Sequence, residues 1–343
     1  MPHLSLALVG FGNVGRALAR LLLRKQEQLK EAYDLSFQVN GIATGHHGLA
    51  IDPAGIDLSR ALAQVGFGLS LTELNRRPDI DSILAFIQVV PADVLFENSP
   101  VNHQTGQPAI DHLKTGLARG MHAITANKGP VVHAYSELNE LAARSGRRFM
   151  FESTVMDGAP IFSLFRGSLP SAELRGFHGI LNSCTNLILG RMDSGETFDQ
   201  AVSYAQSSGI AETDPSADID GWDSAIKVAA LATVLMGVPL KPQQVDRTGI
   251  RALTPTMLAE ARQAGLRWKL VCSCRRAGDR LHARVAPEQI SPDSPLFAIN
   301  GASSYVQFEL DVLPGLGIVE SDPGPETTAY GLLADLINAA RSK

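Results

Sequence analysis

The stretch LSLALVGFGNVG, residues 4–15, decides the fold of the first part of this chain. An apolar run, 4–9, leads into glycines at positions 10, 12 and 15, and apolar residues recur at helical spacing from Val14 to Leu22. A short apolar strand, a glycine-rich turn and an amphipathic helix form the opening of a βαβ unit. The stretch therefore predicts the first strand and first helix of a nucleotide-binding sheet.

The three glycines have separate tasks in such a turn. Gly10 would make the tight turn, Gly12 would let the backbone approach a pyrophosphate, and Gly15 would let the helix pack against the strand. The phosphates would then lie at the positive N-terminal end of the helix. An ordinary glycine-rich turn is the alternative, but the flanking strand and helix favour a cofactor loop. The residues of this loop are Gly10, Phe11, Gly12, Asn13, Val14 and Gly15.

Strand and helix patterns alternate through the first 150 residues. Strands are predicted at 37–43, 82–90, 122–125 and 148–153, and helices at 71–76, 107–119 and 131–144. Repeated strand-then-helix order predicts the fold class α/β, with a doubly wound, mostly parallel Rossmann-type sheet. Residues 1–150 are accordingly expected to form a dinucleotide-binding domain.

The pattern changes in the second half of the chain. Strands are predicted at 173–180, 267–275, 281–285 and 305–310, with an apolar helix at 225–236 among them. Strands and helices no longer alternate, which is typical of a mixed α+β domain. We expect this second domain to span residues 151–321 and to be followed by an amphipathic helix at 326–340.

The composition excludes several classes of protein. The 343 residues carry 30 Lys and Arg against 35 Asp and Glu, a formal net charge of −5, so nucleic acid is not expected as a partner. The chain has no apolar run of about 20 residues and no signal-peptide pattern at its start, so a membrane partner is not expected either. Three cysteines, Cys184, Cys272 and Cys274, are too few for a disulfide framework and favour a reducing, cytoplasmic location.

The second strand lacks the acidic residue that would bind the ribose hydroxyls of NAD. The chain reads IATGHH at 42–47, where Thr44, His46 and His47 could donate hydrogen bonds to a phosphate on that ribose. We therefore expect NADP or NAD, with a preference for NADP. Asp52 within reach of the ribose would favour NAD instead, and histidines that are merely solvated would favour neither.

An acidic stretch, 212–223, runs directly into a helix that is apolar on nearly all sides. Asp223 and Lys227 are the only charges of that helix, 222–236, and they lie four residues apart on one face. Burial and the N-terminal helix dipole both lower the pKa of a lysine, as proton transfer requires, while Asp223 opposes that fall. A salt bridge at the protein surface is one alternative. A metal site built from carboxylates at 212, 214, 218, 220 and 223 is another, although the spacing lacks the EF-hand pattern.

Further motifs, together with the glycine loop, make the chain similar to the homoserine dehydrogenase family. They are TANKGP at 125–130, GILN at 179–182 followed by Thr185 and Asn186, AETDPSADIDGWDSAIK at 211–227, and Thr328-Ala329 followed by ADL at 334–336. The resemblance runs almost end to end. It implies an NAD(P)-dependent oxidoreductase that interconverts aspartate semialdehyde and homoserine, a step towards threonine and methionine. The implied form has a single function, without an aspartate kinase or ACT domain.

The resemblance assigns roles to four residues of the reaction site. Lys227 would donate the proton to the carbonyl oxygen as hydride arrives, and Lys128 would stand near nicotinamide and substrate as a second candidate for that transfer. Glu212 and Asp223 would bind the substrate, with Glu212 a counter-charge for its ammonium group. Retention of all four residues speaks against the alternative of a non-enzymatic, NAD(P)-sensing regulator.

The same resemblance implies two further cofactor contacts and an assembly. Ser99, before Pro100, matches a residue beside the nicotinamide half of the cofactor, and Gly324 matches the glycine at which the chain returns to the cofactor domain. Residues 322–343 would contain a C-terminal helix that packs on that domain. Residues 151–321 would bind the substrate and form a homodimer.

Residues 152–160, ESTVMDGAP, depart from the family, which usually has a glycine-rich turn here. The resemblance implies a monovalent cation, and the candidate ligands for sodium are Glu152, Val155, Asp157 and Ala159. Met156 and Asp157 add bulk and charge near the expected substrate. Another small hydroxy-amino or hydroxy acid is therefore an alternative substrate.

Cys184 stands where the family generally has threonine. The segment NSCTN, 182–186, is similar over a few residues to the nucleophile segment of acylating aldehyde dehydrogenases, in which a thiolate attacks the aldehyde. A Cys184-dependent acylating semialdehyde dehydrogenase is thus a second alternative. A small cysteine that merely packs in a helix is a third reading, and the longer lysine segment favours direct hydride transfer without a covalent intermediate.

Overall fold

A computed structural model describes residues 3–278 and 280–341 of the chain. The chain divides into two compact units, one of Met1–Pro160 with Pro325–Lys343 and one of Ile161–Gly324. None of the helices in the described residues is both long enough and apolar enough to cross a membrane.

The first unit alternates strands with helices, and its last strand is followed by a 3-10 turn at Glu152–Thr154. A second 3-10 turn lies at Thr72–Leu74. The elements in chain order are β1 (His3–Val9), α1 (Asn13–Tyr33), β2 (Ser36–Ala43), β3 (Leu49–Ile51), α2 (Leu58–Gly66), α3 (Ile83–Val89), β4 (Val94–Glu97), α4 (Ala109–Ala118), β5 (His122–Thr125), α5 (Lys128–His133), α6 (Tyr135–Arg144) and β6 (Phe149–Met150). The C-terminal helix of the chain, Pro325–Arg341, completes this unit.

The sheet of the first unit has the strand order β3-β2-β1-β4-β5-β6. Five strands are parallel and β3 is antiparallel to β2, which confirms the prediction of a doubly wound, mostly parallel sheet. Val9 at the end of β1 pairs with Ala43 of β2 and with Glu97 of β4. The carboxyl ends of three strands therefore meet where the strand order reverses, which is where open α/β sheets bind ligands.

Helices cover both faces of this sheet. On one face, Leu18 and Leu22 of α1 share a buried cluster with Leu332 and Leu336 of the C-terminal helix. On the other face, Phe86 and Val90 pack in a second cluster with Ala7 and Leu95 of the strands. The strands are buried on both sides, which explains why β1 and β4 read as continuous apolar runs rather than as alternating ones.

Two predictions for this unit are wrong. The apolar run 82–90 is not a strand but contains α3, because the side chain of Ser82 accepts a hydrogen bond from the Ala85 N–H and caps a helix. A short run buried on all sides does not distinguish a strand from a helix by its periodicity. The strand beside β1 is β4 instead. The helix expected at 71–76 is only a 3-10 turn. The helical segment expected at 131–144 is present, with one break at Ala134, whose φ is −142°.

The second unit contains a six-stranded sheet in the order β12-β11-β7-β9-β10-β8. Its elements are α7 (Ile161–Gly167), β7 (Leu174–Ile180), α8 (Ser183–Asp193), α9 (Phe198–Ser207), α10 (Ser216–Ile219), α11 (Trp222–Leu235), β8 (Asp246–Arg247), α12 (Pro255–Gln263), β9 (Arg267–Ala277), β10 (Arg280–Ile290), β11 (Ser304–Leu310) and β12 (Leu316–Glu320), with 3-10 turns at Pro242–Gln244 and Pro295–Ala298. Neighbouring strands are antiparallel except β8 and β10. Helices α8, α11 and α12 contact β9, so the unit is the mixed α+β arrangement that was predicted.

Buried hydrogen bonds fasten the C-terminal helix to the segment after β6. The carboxylate of Asp335, fully buried in that helix, accepts the N–H of Glu152 at 2.7 Å. The hydroxyl of Ser153 donates to the carbonyl of Thr328 at 2.7 Å, and the Thr328 hydroxyl donates to the Asp157 carboxylate at 2.5 Å. The last helix therefore holds the turn that carries the candidate sodium ligands.

We expect Asp335→Ala to lower the free energy of unfolding by about 1–3 kcal/mol, because the Glu152 N–H loses its acceptor in a buried site. Urea denaturation of the purified protein measures this change. Asp335→Asn is the matched control, since its amide oxygen can still accept the bond, and it should cost less. Equal stability of Asp335→Ala and the unchanged protein would contradict the anchoring role.

Candidate active site

The turn between β1 and α1 is shaped by contacts that only glycine permits. Gly10 has a φ of +90°, and its N–H donates to the carbonyl of Ala43 at 2.9 Å. A Cβ on Gly10 would lie 2.3 Å from the carbonyl oxygen of Asn98. A side chain at this position is excluded by both the backbone angle and the neighbouring strand end.

The other two glycines differ sharply in their surroundings. A Cβ on Gly15 would lie 2.2 Å from the Gly10 carbonyl oxygen, so Gly15 lets α1 approach the strand. A Cβ on Gly12 would meet no atom within 4 Å. Gly12 caps α1, a helix of 21 residues, and the open space beside it is where a phosphate at the helix N-terminus would need the backbone bare.

The remaining loop residues support this turn. Phe11 is buried beneath it, and Val14 packs against the core on the inner face of α1. Asn13 is exposed, and its side-chain oxygen accepts a hydrogen bond from Arg16 at 2.9 Å. The loop thus presents backbone and small polar groups outward and apolar groups inward.

Asn98 is a candidate site residue that no sequence motif predicted. It follows β4 directly, its carbonyl faces Gly10, and both polar atoms of its side chain are buried without a hydrogen-bond partner among the described residues. An unsatisfied buried amide is costly, and it offers one donor group and one acceptor to a ligand. Because it lies beside the glycine turn, the residues present fit a dinucleotide cofactor.

A buried carboxylate organises the loop that carries Ser99. Glu97 is fully buried, and its carboxylate accepts the N–H of Ser99 at 3.1 Å and also the Ser99 hydroxyl. The hydroxyl of Thr125, at the end of β5, donates to the Glu97 carbonyl at 2.7 Å. His112 of α4 lies 3.3 Å from the same carboxylate. The ends of β4 and β5 are therefore joined beneath Ser99.

Asn127 brings Ser99 and Lys128 together. Its side-chain amide donates to the carbonyl of Ser99 at 3.1 Å, while its side-chain oxygen accepts the N–H of Gly129 at 3.0 Å and caps α5. Lys128, half-buried, is the first residue of that helix. Two of the predicted site residues thus follow neighbouring strands: Ser99 lies in the loop after β4, and Lys128 begins the helix after β5.

The loop after β2 has no carboxylate of its own. The Thr44 hydroxyl donates to the Gly48 carbonyl at 3.1 Å and accepts the His47 N–H at 2.6 Å. His46 is exposed, and His47 contacts the carbonyl of Leu69 at 3.0 Å. The carboxylate of Asp52, the acidic residue that could bind the ribose of NAD, lies 3.5 Å from the guanidinium of Arg76.

The segment with the candidate sodium ligands is compact. Glu152, Val155 and Ala159 are buried, and Asp157 adopts a φ of +40°, the left-handed region that favours glycine. The hydrogen bond from Thr328 to the Asp157 side chain stabilises that conformation. Carboxylate oxygens of Glu152 and Asp157 and backbone carbonyls of Val155 and Ala159 are of the donor type that a hard cation takes. No group of three or more His, Cys, Asp or Glu residues within the described ranges is arranged to hold a metal ion.

In the second unit, Lys227 and Asp223 form the predicted pair on α11. Their charged groups lie 3.0 Å apart, and each side chain is 14% exposed. The Lys227 ammonium also donates to the carbonyl of Leu181, just after β7, at 2.7 Å. The helix around them is largely buried, so the pair is a partly buried ion pair rather than the surface salt bridge that was the alternative.

Asp218 joins this pair, although the sequence analysis considered it only as a metal ligand. Its carboxylate and that of Asp223 both accept hydrogen bonds from the side-chain amide of Asn182, at 2.6 and 2.9 Å. Burial and the nearby charge of Asp223 raise the pKa of Asp218 to about 6. Cys184 lies close by, and burial, followed by the charge of Asp218, raises the pKa of its thiol.

Glu212 is not brought into this cluster. It is exposed in the turn before α10, and its carboxylate makes no hydrogen bond or ion pair with any described residue. Asp214 binds the N–H of Ser216, and Asp220 pairs with Arg251 at 2.9 Å. The acidic stretch therefore contributes two carboxylates to one cluster rather than a ring of metal ligands.

Gly324 lies at the junction of the two units. It is the residue before the C-terminal helix, and a Cβ there would meet no atom within 4 Å. The chain passes from the second unit back to the first between Gly324 and Pro325.

We expect Gly12→Ala to leave the free energy of unfolding within about 0.5 kcal/mol and to weaken NAD(P)H binding roughly tenfold or more, because its Cβ would occupy the open space beside the helix N-terminus. Fluorescence titration measures the dissociation constant. Gly10→Ala is the contrasting variant, and it should lose at least about 1–2 kcal/mol of stability. Unchanged cofactor affinity in Gly12→Ala would remove this turn from the binding site.

The raised pKa of Asp218 predicts a pH-dependent stability difference. Between pH 3.8 and about 6 the folded protein binds more protons at this carboxyl than the unfolded chain, so its contribution to stability falls as pH rises through that window. Asp218→Asn has no such titration. Its free energy of unfolding relative to the unchanged protein should therefore increase from pH 4 to pH 7. The exposed control Asp293→Asn should show no such trend, and a flat difference for Asp218→Asn would contradict the assigned pKa.

Two family models cover most of the chain. The model described as homoserine dehydrogenase matches residues 160–337, and the model described as homoserine dehydrogenase, NAD binding domain, matches residues 10–152. The second match contains the glycine turn, Asn98, Ser99 and Lys128. The first contains Asp218, Asp223 and Lys227.

Individual proteins are similar over nearly their full length. An NAD(+)-dependent homoserine dehydrogenase of Pseudomonas canavaninivorans is 35% identical over 100% of this chain and 97% of its own. A putative homoserine dehydrogenase of Archaeoglobus fulgidus has a crystal structure with a TM-score of 0.86 and 31% identity, over 97% of this chain and 98% of that one. A hyperthermophilic archaeal homoserine dehydrogenase mutant in complex with NADPH has a TM-score of 0.82 and 28% identity, over 99% and 98%. The chain belongs to the homoserine dehydrogenase family.

Proposed function

We propose that this protein interconverts L-aspartate 4-semialdehyde and L-homoserine by direct hydride transfer, with Lys227 as the proton donor. The observation that carries the proposal is the setting of the Lys227 ammonium. It is held between the Leu181 carbonyl and the Asp223 carboxylate at the start of a buried helix, in a chain of this family. A lysine so fixed can donate a proton as the ammonium in the reductive direction and accept one as the neutral amine in the oxidative direction.

The bond changes assign a task to each residue. In the reductive direction the aldehyde carbon gains a C–H bond, and its oxygen gains negative charge that Lys227 neutralises by donating a proton, so that a primary alcohol results. The reduced nicotinamide supplies the hydride when it is bound. Lys128 is the second candidate for stabilising the oxygen. Asp223 orients Lys227, and the exposed Glu212 carboxylate is available to an ammonium group of the substrate.

Two alternatives lose support. The side chain of Met156 is buried, and the Asp157 carboxylate accepts a hydrogen bond from the Thr328 hydroxyl of the C-terminal helix. This favours homoserine over another small hydroxy-amino or hydroxy acid. The raised pKa of Cys184 keeps its thiol protonated, which disfavours an acylating mechanism that needs a thiolate.

We propose that the protein binds NADP in preference to NAD. The loop after β2 offers no carboxylate to repel a 2′-phosphate, and Asp52 is paired with Arg76. The NAD(+)-dependent relative from Pseudomonas favours NAD instead, so the ratio of Michaelis constants for NAD and NADP is the deciding measurement.

We also propose that a sodium ion binds at Glu152, Val155, Asp157 and Ala159. A homodimer formed through the second unit is a further expectation from the family, which sedimentation velocity measures.

We expect Lys227→Ala to reduce kcat for homoserine oxidation roughly 10²–10⁴-fold, the usual loss for a missing general acid or base. The dissociation constant for NADPH should change little. Lys241→Ala, at an exposed position outside the cluster, is the matched control and should retain full turnover. Near-normal kcat in Lys227→Ala would remove Lys227 from the proton transfer.

The substrate is tested by NAD(P)⁺ reduction at alkaline pH with L-homoserine beside related hydroxy-amino acids and hydroxy acids. We expect turnover of homoserine well above the rest of the panel. Activity on another panel member with none on homoserine would contradict the proposed substrate while retaining the reaction type. Acyl-phosphate formation that depends on phosphate would support the acylating alternative.

A further inference from the structure

Asn182 links the segment between β7 and α8 to Asp218 and Asp223, the two carboxylates beside Lys227. It lies between β7 and α8, is almost fully buried, and caps α8 with its side-chain oxygen, which accepts the N–H and the hydroxyl of Thr185, both at 2.8 Å. Its side-chain nitrogen donates to Asp218 at 2.6 Å and to Asp223 at 2.9 Å. Those carboxylates lie 36 and 41 residues further along the chain.

The amide can take only one orientation in this place. Its two N–H groups donate hydrogen bonds to carboxylates, and its oxygen accepts a hydrogen bond from the N-terminal end of α8. Rotating the amide by half a turn would direct the oxygen at two carboxylates and would leave the Thr185 N–H without an acceptor. Asn182 therefore fixes the positions of Asp218 and Asp223 relative to the end of β7.

The neighbouring residue completes the arrangement. Leu181 supplies the carbonyl that accepts a hydrogen bond from Lys227 at 2.7 Å, so two consecutive residues hold the ammonium and both carboxylates. Asn182 does this without a charge. A cationic donor in its place would compete with Lys227 for Asp223, and a carboxylate would repel both acids.

The titratable groups around Lys227 come from several elements. Within the described residues, those that act on Lys227 or on its two acidic neighbours include Asp218 from α10, Asp223 from its own helix, Cys184 from α8 and Cys272 from β9. Burial raises the pKa of both thiols, to about 11 for Cys272, so neither thiol carries charge at neutral pH. Asp218 and Asp223, the two carboxylates that Asn182 holds, are therefore negative charges that act on Lys227.

We propose that Asn182 is a positioning residue that sets the proton affinity of Lys227 by fixing Asp218 and Asp223 with its two amide N–H groups. The proposal rests on the proposed function of Lys227. Asn182 itself acts through the carboxylates and the lysine, and not on the reacting atoms.

The test variant is Asn182→Asp, which keeps an oxygen for the Thr185 N–H and hence the helix cap, but replaces two donors with a negative charge. A third carboxylate favours the protonated lysine, so the pH at which kcat for homoserine oxidation rises should move upward by about one unit or more. At pH values below that rise, kcat should fall roughly tenfold or more, and it should recover at high pH. Thr185→Val, which keeps both carboxylate bonds, is the control and should retain the original pH profile.

A second readout does not need turnover. The titration midpoint of Lys227, followed by ¹³C NMR of lysine-labelled protein and assigned with Lys227→Ala, should rise in Asn182→Asp and stay in place in Thr185→Val. If the unchanged protein failed to oxidise homoserine, the proposed function would be wrong. The NMR midpoint would still test whether Asn182 affects the pKa of Lys227. Equal midpoints in folded Asn182→Asp and the unchanged protein would overturn the positioning role.

Discussion

The meeting of three strand ends at Gly10 is the constraint on which the first unit depends. The Gly10 N–H bonds to the end of β2, and its missing side chain lets the carbonyl of Asn98, after β4, come close. Since β1 lies between β2 and β4, any side chain at Gly10 would force these ends apart. The cofactor loop, the unsatisfied amide of Asn98 and the Ser99 loop all take their places from this approach.

Buried polar groups then extend the site away from the glycine turn. The Glu97 carboxylate joins Ser99, Thr125 and His112, and the Asn127 amide joins Ser99 to the helix that begins at Lys128. In the second unit the Asn182 amide has the same kind of role for Asp218 and Asp223. In each unit, therefore, a buried group with several hydrogen bonds fixes the positions of polar or charged side chains. The low local dielectric strengthens these hydrogen bonds and makes the arrangement specific.

The sequence predicted the features that depend on local spacing. The glycine turn follows from three residues within one βα unit, and the pair of Asp223 and Lys227 follows from the spacing of one helical turn. Features that depend on contacts across the chain were not predictable in this way. The bonds from Asn182 span 36 and 41 residues, and the orphan amide of Asn98 depends on a neighbouring strand. The strand expected at 82–90 was wrong because burial on all sides removes the periodicity that separates strand from helix.

In the proposed reaction, hydride passes directly between homoserine and the nicotinamide. This transfer is tested by NMR of the reduced cofactor after oxidation of homoserine that carries two deuterium atoms on its hydroxyl-bearing carbon. Direct transfer should leave one deuterium on the nicotinamide ring for each aldehyde formed, without exchange with solvent. Aldehyde formation with no deuterium in the cofactor, or no cofactor reduction with homoserine at all, would contradict it.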